Sequence, residues 1–310
     1  MFLRRKLTVM ATVALLSTSL LAGCSSSGEN SNGGSNGGGT ATAAEVLANK
    51  NARAAISMII DKQAYCDVIL NNGSIPTSTF TPKGLAFDNG KDYTDLTEGM
   101  GYEYNEEQAK ELWEKAKEEV GFDTVEMELL TFDHDTGKRT GEYIQSELSD
   151  LEGLTVKVSN LPFKQKLERE TNGEFDLAFS GWGADYPDPL TYLSTMQTGN
   201  QFSNQVGYNS EEYNKLIEEA MKLPITEGYA KYAEAEKLML EDGYLAPIYQ
   251  KASAYLEKDY VSGIVNNSWG ADYTYTYADV DKDDKVLNLA TSSDIPTLDL
   301  SKATDQQSFQ

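Results

Sequence analysis

Residues 124–182 alternate twice between strand and helix patterns, and this constrains the fold more than any other feature. The segments "TVEMELLTF", "LTVKVSN" and "EFDLAFSGW" place apolar residues at every second position, as β-strands do. Between them, "GEYIQSELSDL" and "FKQKLERETNG" have the apolar spacing of short helices. Strand–helix–strand–helix–strand with short links predicts an α/β fold with a mostly parallel sheet and flanking helices.

Further helices and one more strand are predicted outside this segment. Helices are expected over "NARAAISMIIDKQAYCDVIL", ending near Asn71, and over "NEEQAKELWEKAKEEVG", capped by Asn105 and stopped by Gly121. Two more are expected at 210–222 and 226–242, and "YLAPIYQ" (244–250) has the pattern of a strand. Residues 74–104 are rich in loop-forming residues.

The third strand runs directly into the loop "GWGADYPDPL", residues 181–190. In an open α/β sheet, ligands bind at the carboxyl ends of the strands. The two glycines let a ligand approach the main chain, Trp182 offers a flat apolar wall, and Asp185 can hold a cation. Asp185 and Asp188 are also spaced as an acid–base pair would be, although closely spaced acids are common in turn-rich loops.

The N-terminus has the order of a secretory signal. Basic residues at 4–6 precede an apolar stretch, and small residues precede Cys24. A single-pass anchor is less favoured because the apolar stretch is short. "LAGC" resembles a bacterial lipobox, so residues 1–23 are predicted to be a lipoprotein signal peptide, with lipidation (palmitate) on Cys24. Residues 24–44, rich in Gly, Ser and Asn, are predicted to be a flexible tether at the outer face of the cell membrane.

Composition excludes several classes of function. The net charge of −23 argues against a nucleic-acid partner.

If Cys24 is lipidated, Cys66 has no disulfide partner and is expected to be a small buried residue. His134, the single histidine, is expected to be a hydrogen-bonded surface residue. Residues 279–290 fail as a calcium loop because Asp284 and Ala290 replace the required glycine and glutamate. No metal and no cofactor is predicted.

Several segments resemble one known family. "LANKNARAAISMIIDK", "NNGSIPTSTFTPKG", the helix pattern that begins at Tyr104 and, above all, "FDLAFSGWGADYPDPLTYL" are similar to the second half of extracellular solute-binding proteins of the oligopeptide-binding family. That family captures peptides for ABC importers and has a periplasmic-binding-protein-like fold, in which two lobes close over an extended peptide.

The resemblance implies a peptide-binding lipoprotein that serves the permease subunits of an ABC-type oligopeptide importer and is not an enzyme. Asp185 would pair with the free amino terminus of the peptide. Trp182, Gly183, Ala184 and Tyr186 would line the same pocket, and sheet-like hydrogen bonds would hold the peptide main chain. A peptide-pheromone receptor of the same fold, or a folded lobe without binding activity, are the alternatives. Catalysis through Asp185 ranks last.

The order of the segments departs from the family. Residues 45–280 resemble the second lobe, whereas "KVLNLATSSDIPTLDLSKATDQQSFQ" at the end resembles the start of the first lobe. Residues 281–310 are therefore interpreted as a linker plus a permuted fragment, with the first lobe largely missing. This fragment carries a first-lobe strand, which is expected to be poorly ordered without a partner sheet.

Overall fold

A computed structural model describes residues 2–3, 39–252, 255–291 and 294–309, and within them the chain forms one central sheet and four two-stranded sheets. The strands in chain order are β1 (Phe2–Leu3), β2 (Gly39–Ala41), β3 (Ile75–Pro76), β4 (Phe87–Asp88), β5 (Lys91–Asp92), β6 (Phe122–Phe132), β7 (Leu154–Leu161), β8 (Leu177–Ala178), β9 (Tyr249–Gln250), β10 (Val261–Ser262), β11 (Val265–Asn266), β12 (Tyr273–Thr274) and β13 (Asp279–Val280).

Helices cover the sheet and form most of the remaining regular structure. The α-helices are α1 (Ala43–Ala48), α2 (Lys50–Met58), α3 (Lys62–Ala64), α4 (Glu106–Val120), α5 (Asp135–Leu148), α6 (Phe163–Asn172), α7 (Leu190–Leu193), α8 (Gln201–Val206), α9 (Glu211–Ala220), α10 (Ile225–Asp242) and α11 (Gln306–Phe309). A π-helical turn spans Tyr65–Leu70, and 3₁₀ turns span Tyr93–Leu96, Ser194–Met196 and Leu300–Lys302.

Strand β6 is the centre of the sheet. Along one edge it pairs in parallel with β7, from Val125 to Phe132. Along the other edge, β2 pairs in parallel near its start and β8 pairs in parallel near its end. β1 adds to β8 in the antiparallel direction. The prediction of an α/β fold with a mostly parallel sheet is confirmed.

The sheet separates two apolar cores. Val125, Met127 and Leu129 project from β6 into the core that contains Trp113 of α4. Leu130, the next residue of β6, belongs to the second core, which includes residues of α8, α9 and α10. Because successive side chains of a strand point to opposite faces, this one strand anchors both cores.

The predicted tether ends earlier than the sequence suggests. Residues 39–41 form β2, and the side chain of Thr42 accepts a hydrogen bond from the main-chain N–H of Glu45, which caps α1. The Glu45 carboxylate accepts one in return from the main-chain N–H of Thr42 at 2.9 Å. Main-chain pairing and capping need no large apolar side chain, so composition does not reveal them. Cys24 and most of the predicted tether lie outside the described residues.

The first predicted helix is interrupted. Helix α2 ends at Met58, and the Asp61 side chain then caps α3, accepting from the main-chain N–H of Ala64 at 2.9 Å. The main-chain N–H of Asp61 donates to the Glu147 carboxylate at 2.9 Å, which fixes the break against α5. The predicted end at Asn71, which has a φ of 43°, is confirmed. The helix capped by Asn105 and ended by Gly121 is confirmed as α4.

Three predicted strands are shorter than expected or absent. The third strand of the 124–182 pattern is regular only at β8, after which the glycine-rich loop leaves the sheet. In "YLAPIYQ", only β9 forms, and it pairs antiparallel with β3 outside the central sheet. In the described part of 285–309, which was expected to carry a first-lobe strand, no strand forms.

Cys66 and His134 have the structural roles expected of them. Cys66 is buried in the π-helical turn, and burial raises the pKa of its thiol. His134 is exposed and caps α5, its Nδ1 accepting from the main-chain N–H of Gly137 at 3.0 Å. In the described ranges no cluster of His, Cys, Asp and Glu is arranged to hold a metal ion. None of the helices there is long and apolar enough to cross a membrane.

Glu236 of α10 ties the loop-rich segment 74–104 to the second core. One carboxylate oxygen accepts from the main-chain N–H groups of Phe80 (2.8 Å) and Thr81 (2.9 Å). The other accepts from the hydroxyls of Thr81 (2.8 Å) and Tyr93 (3.1 Å). The side chain is fully buried, and burial raises its pKa.

We expect Glu236→Ala to lower the free energy of unfolding by about 3 kcal/mol or more, because it leaves several buried donors without an acceptor. Glu236→Gln keeps one carbonyl oxygen to accept from the two N–H groups and should lower the free energy of unfolding by only on the order of 1 kcal/mol. Urea unfolding of both variants measures the difference. Equal losses would show that the hydrogen bonds are not what Glu236 contributes.

Candidate functional site

The loop that follows β8 leaves the sheet at its carboxyl edge. The last sheet-type hydrogen bond runs from the main-chain N–H of Phe179 to the carbonyl of Leu130, at 2.9 Å. Ser180 to Asp185 then pass beside Phe132, the last residue of β6, and Phe163, which follows the end of β7. Parallel pairing brings the three strand ends together, so the loop lies where the sequence predicts a ligand site.

Three hydrogen bonds hold the main chain of residues 182–185. The Tyr192 hydroxyl donates to the carbonyl of Trp182 at 3.2 Å. The main-chain N–H of Gly270 donates to the carbonyl of Ala184 at 2.8 Å. The main-chain N–H of Asp185 donates to the hydroxyl of Thr191 at 2.9 Å. The loop is therefore fixed from α7 on one side and from the 263–272 segment on the other.

The Asp185 carboxylate is not engaged by this scaffold. Within the described residues, neither a hydrogen bond nor an ion pair contacts its oxygens, although its own main-chain N–H is bonded. The side chain is exposed, and partial burial by the surrounding loop raises the pKa of the carboxyl group. An anion held on a rigid loop without a counter-charge is suited to binding a cationic group.

Asp188 has a different role in the same loop. Its Oδ1 accepts from the main-chain N–H of Leu190 at 2.9 Å, at the start of α7, and the Tyr229 hydroxyl also bonds to it. Burial nevertheless raises the pKa of this carboxyl group. The side chain of Asp188 therefore stabilises the turn into α7, which argues against the acid–base pairing that the spacing alone allows.

A cavity of about 140 Å³ lies beside the loop. Its walls are mostly apolar and come from five separate parts of the chain. They include Phe132, Phe163, Leu167, Trp182 and Phe202. Gly183 and Asp185 stand at its rim, and residues 304–306 close another side.

The predicted site residues do not all face this cavity. Trp182, Gly183 and Asp185 line it. Ala184 is not among the lining residues and contributes through its carbonyl bond to Gly270. Tyr186 is exposed and also lies outside the lining, and its hydroxyl bonds to Ser194.

Some lining residues were not predicted from the sequence. Parallel strands end at one edge of a sheet, and this rule could have placed Phe132, at the end of β6, and Phe163, just after β7, beside the loop. Phe202 lies in α8, and no pattern in the sequence indicates that this helix packs beside the strand ends. Gln306 belongs to the C-terminal segment; its side-chain amide donates to the Gly270 carbonyl at 2.9 Å and to the Asp272 carboxylate at 3.2 Å. The end of that segment therefore packs at the site.

A buried ion pair lies behind one wall of the cavity. The Lys166 ammonium bonds to the Glu170 carboxylate and, at 3.2 Å, to the Ser180 hydroxyl. It also sits 4.3 Å from the centre of the Phe132 ring. Burial lowers the pKa of Lys166. The pair links α6 to the first residue of the loop, so it helps fix where the loop leaves the sheet.

Comparison with known proteins identifies relatives over a part of the chain that includes the loop after β8. Residues 28–204 match the family model "Bacterial extracellular solute-binding proteins, family 5 Middle". A "Dipeptide-binding protein" of Lactococcus lactis subsp. cremoris is 31% identical over 238 residues, which are 74% of this chain and 43% of that protein.

Two solved structures have the same fold. The substrate-binding domain of an oligopeptide ABC transporter from Bacillus anthracis superposes with a TM-score of 0.73 at 35% identity, covering 76% of this chain and 46% of that one. The pheromone receptor PrgZ gives a TM-score of 0.69 at 34% identity, with the same coverage. The chain thus spans under half the length of each of these three relatives. Because the family model covers more than half of this chain, the protein belongs to the family 5 bacterial extracellular solute-binding proteins.

Proposed function

We propose that this protein binds oligopeptides for an ABC importer, and that Asp185 receives the free amino terminus of the peptide. The observation that carries the proposal is the unengaged Asp185 carboxylate, held on a fixed loop beside a cavity at the carboxyl edge of the sheet. Membership of the solute-binding family and the peptide-binding names of its relatives support it.

The main chain of the loop is suited to a peptide ligand. Gly181 and Gly183 are exposed, and in the described residues neither uses its main-chain N–H or carbonyl in a hydrogen bond. A β-carbon added at Gly181 would meet no atom within 4 Å, so the space beside it is open. An extended peptide can pair with these free groups as an added strand does, which gives affinity independent of side chains.

The chemistry is capture and release without bond breaking. The Asp185 carboxylate forms a charge-assisted hydrogen bond to the peptide ammonium, which an acetylated amine cannot make. Trp182 covers one side of the bound peptide. The permease subunits of the importer would receive the peptide, so we class the protein as a transport component and not as an enzyme.

A receptor for a signalling peptide is the second candidate, supported by the likeness to PrgZ. It shares the ammonium site and differs in selectivity. A nutrient binder accepts random peptide mixtures, whereas a receptor binds one sequence far more tightly. A folded lobe without binding activity is the third candidate, and it would show no stabilisation by any peptide.

We expect Asp185→Asn to weaken binding of a free-amino tripeptide by about 10–100-fold, the worth of one charge-assisted hydrogen bond. N-acetylation of the peptide should weaken binding to the wild-type protein by a similar factor and should hardly change binding to the variant, because both changes remove the same interaction. Isothermal titration calorimetry of the wild-type protein and of Asp185→Asn, each with the free and the acetylated peptide, measures this coupling.

Asp123→Asn is the matched control for this experiment. Asp123 is exposed and stands near the start of β6, at the opposite edge of the sheet from the loop. It should leave both affinities unchanged. Equal affinity of the wild-type protein for free and acetylated peptide would remove Asp185 from the proposed role.

The same pairing predicts a dependence of binding on pH. The carboxylate must be ionised, and its pKa lies above the usual value for aspartate, so affinity should be full near neutrality and fall as the pH drops through that raised pKa. Affinity should also fall at alkaline pH as the peptide amine, with a pKa of about 8, loses its proton. Calorimetric titrations from pH 3 to pH 9 test this, and an acid limb that persists in Asp185→Asn would contradict it.

We further propose that Cys24 carries a lipid that holds the protein at the outer face of the cell membrane, as the "LAGC" sequence indicates. Cys24→Ser should abolish incorporation of labelled palmitate and shift the protein from the membrane to the soluble fraction of a bacterial host. Cys66→Ala, at the buried cysteine, is the control and should keep the label. Retention of label in Cys24→Ser would refute the anchor.

A further inference from the structure

The cavity beside the loop has the size of one large apolar side chain. Its volume of about 140 Å³ is close to the roughly 150 Å³ of engineered apolar cavities that hold a benzene ring. Phe132, Phe163, Leu167 and Phe202 supply apolar walls. Asp185 stands at the rim, so a peptide whose ammonium pairs with that carboxylate brings its first side chain to the mouth of the cavity.

The charges around the cavity disfavour an acidic guest. Asp185, Glu170 and Asp305 all line it, and each bears a carboxylate. Two of them are engaged by the protein: Glu170 by Lys166, and Asp305 by Ser308, whose main-chain N–H donates at 3.0 Å and whose hydroxyl donates at 2.8 Å. None of the lining residues is cationic, so an acidic side chain would enter without a partner.

A basic guest is disfavoured for a different reason. The Lys166 ammonium lies directly behind Phe132 and Ser180, both of which line the cavity. It occupies the face of the Phe132 ring and the Glu170 carboxylate, which a lysine or arginine guest would otherwise use. Because the Lys166–Glu170 pair is neutral overall, it offers no counter-charge to a guest cation, and Ser308 already bonds both oxygens of Asp305. Burying a charged head between the apolar walls is then costly.

Trp182 adds an independent sign that a ligand belongs here. Its indole Nε1 is buried and has no hydrogen-bond partner among the described residues, although the ring lines the cavity. Buried donors in folded proteins are nearly always bonded. A peptide brings carbonyl oxygens, and one of them can accept this hydrogen bond if the indole shifts to expose its Nε1, which protein atoms cover in this structure.

We propose that the cavity takes the first side chain of the bound peptide and selects an uncharged apolar one of the size of leucine or phenylalanine. This inference rests on the proposed peptide-binding function and goes further, because main-chain pairing and the ammonium site alone read no side chain. The cavity makes the first position of the peptide a point of selectivity.

The test is a series of tripeptides X-Ala-Ala in which X is Ala, Leu, Phe, Lys or Glu, titrated calorimetrically into the protein at neutral pH. Leu and Phe should bind at least about tenfold more tightly than Ala, since each buries a large apolar side chain. Lys should gain little over Ala, and Glu should bind most weakly. A Glu or Lys peptide that binds as tightly as the Leu peptide would overturn the inference.

Leu167→Phe tests the cavity directly by reducing its volume. The variant should lose most of the advantage of Leu and Phe over Ala while keeping its sensitivity to N-acetylation. Leu223→Phe is the matched control, since Leu223 is partly exposed on the turn between α9 and α10 and does not line the cavity. It should leave the whole series unchanged. An unaltered Leu advantage in Leu167→Phe would contradict the assignment.

The outcomes separate this inference from the proposed function. If all five peptides bind equally and acetylation abolishes binding, the ammonium site stands and the side-chain pocket is refuted. If no peptide binds, both fail. The wild-type series needs no variant, so a folding defect in Leu167→Phe leaves the test intact.

Discussion

The parallel pairing of β6 with β7 and β8 is the interaction on which the rest of the molecule depends. It brings the ends of three strands to one edge, so that Phe132, Phe163 and the loop after β8 meet there. It also divides the apolar side chains between two cores, one on each face. Without this pairing the loop would have no fixed starting point, and neither the position of Asp185 nor the cavity beside it would be defined.

The loop itself combines a rigid main chain with a free side chain. Tyr192, Thr191 and Gly270 bond the main chain of residues 182–185, while the Asp185 carboxylate takes no part in this scaffold. A binding site needs this division, because a carboxylate already satisfied by the protein has little to offer a ligand. Asp188, only three residues away, shows the contrast, since it is used to start α7.

The sequence was most informative where local pattern and tertiary structure agree. The alternation of 124–132 and 154–160 and the caps of α4 are local signals, and they predicted the sheet and that helix. Asp185 and Trp182 could be placed because a loop after a parallel strand lies at the ligand-binding edge. The break at Asp61 depends on Glu147, which is far away in the chain, and β2 forms from residues with no apolar pattern. Contacts of this kind join residues that are far apart in the chain, so they do not change the spacing of apolar residues and cannot be predicted from it. The packing of Gln306 against Gly270 joins the end of the chain to the site and is equally invisible to it.

The central claim is that Asp185 holds the amino terminus of a peptide at the carboxyl edge of the sheet. A crystal structure of the protein with a free-amino tripeptide tests it most directly. The account predicts the peptide nitrogen about 2.7–2.9 Å from an Asp185 carboxylate oxygen, with the peptide main chain bonded to Gly181 and Gly183. A peptide that binds with its amino terminus elsewhere, or with Asp185 facing solvent, would contradict the account.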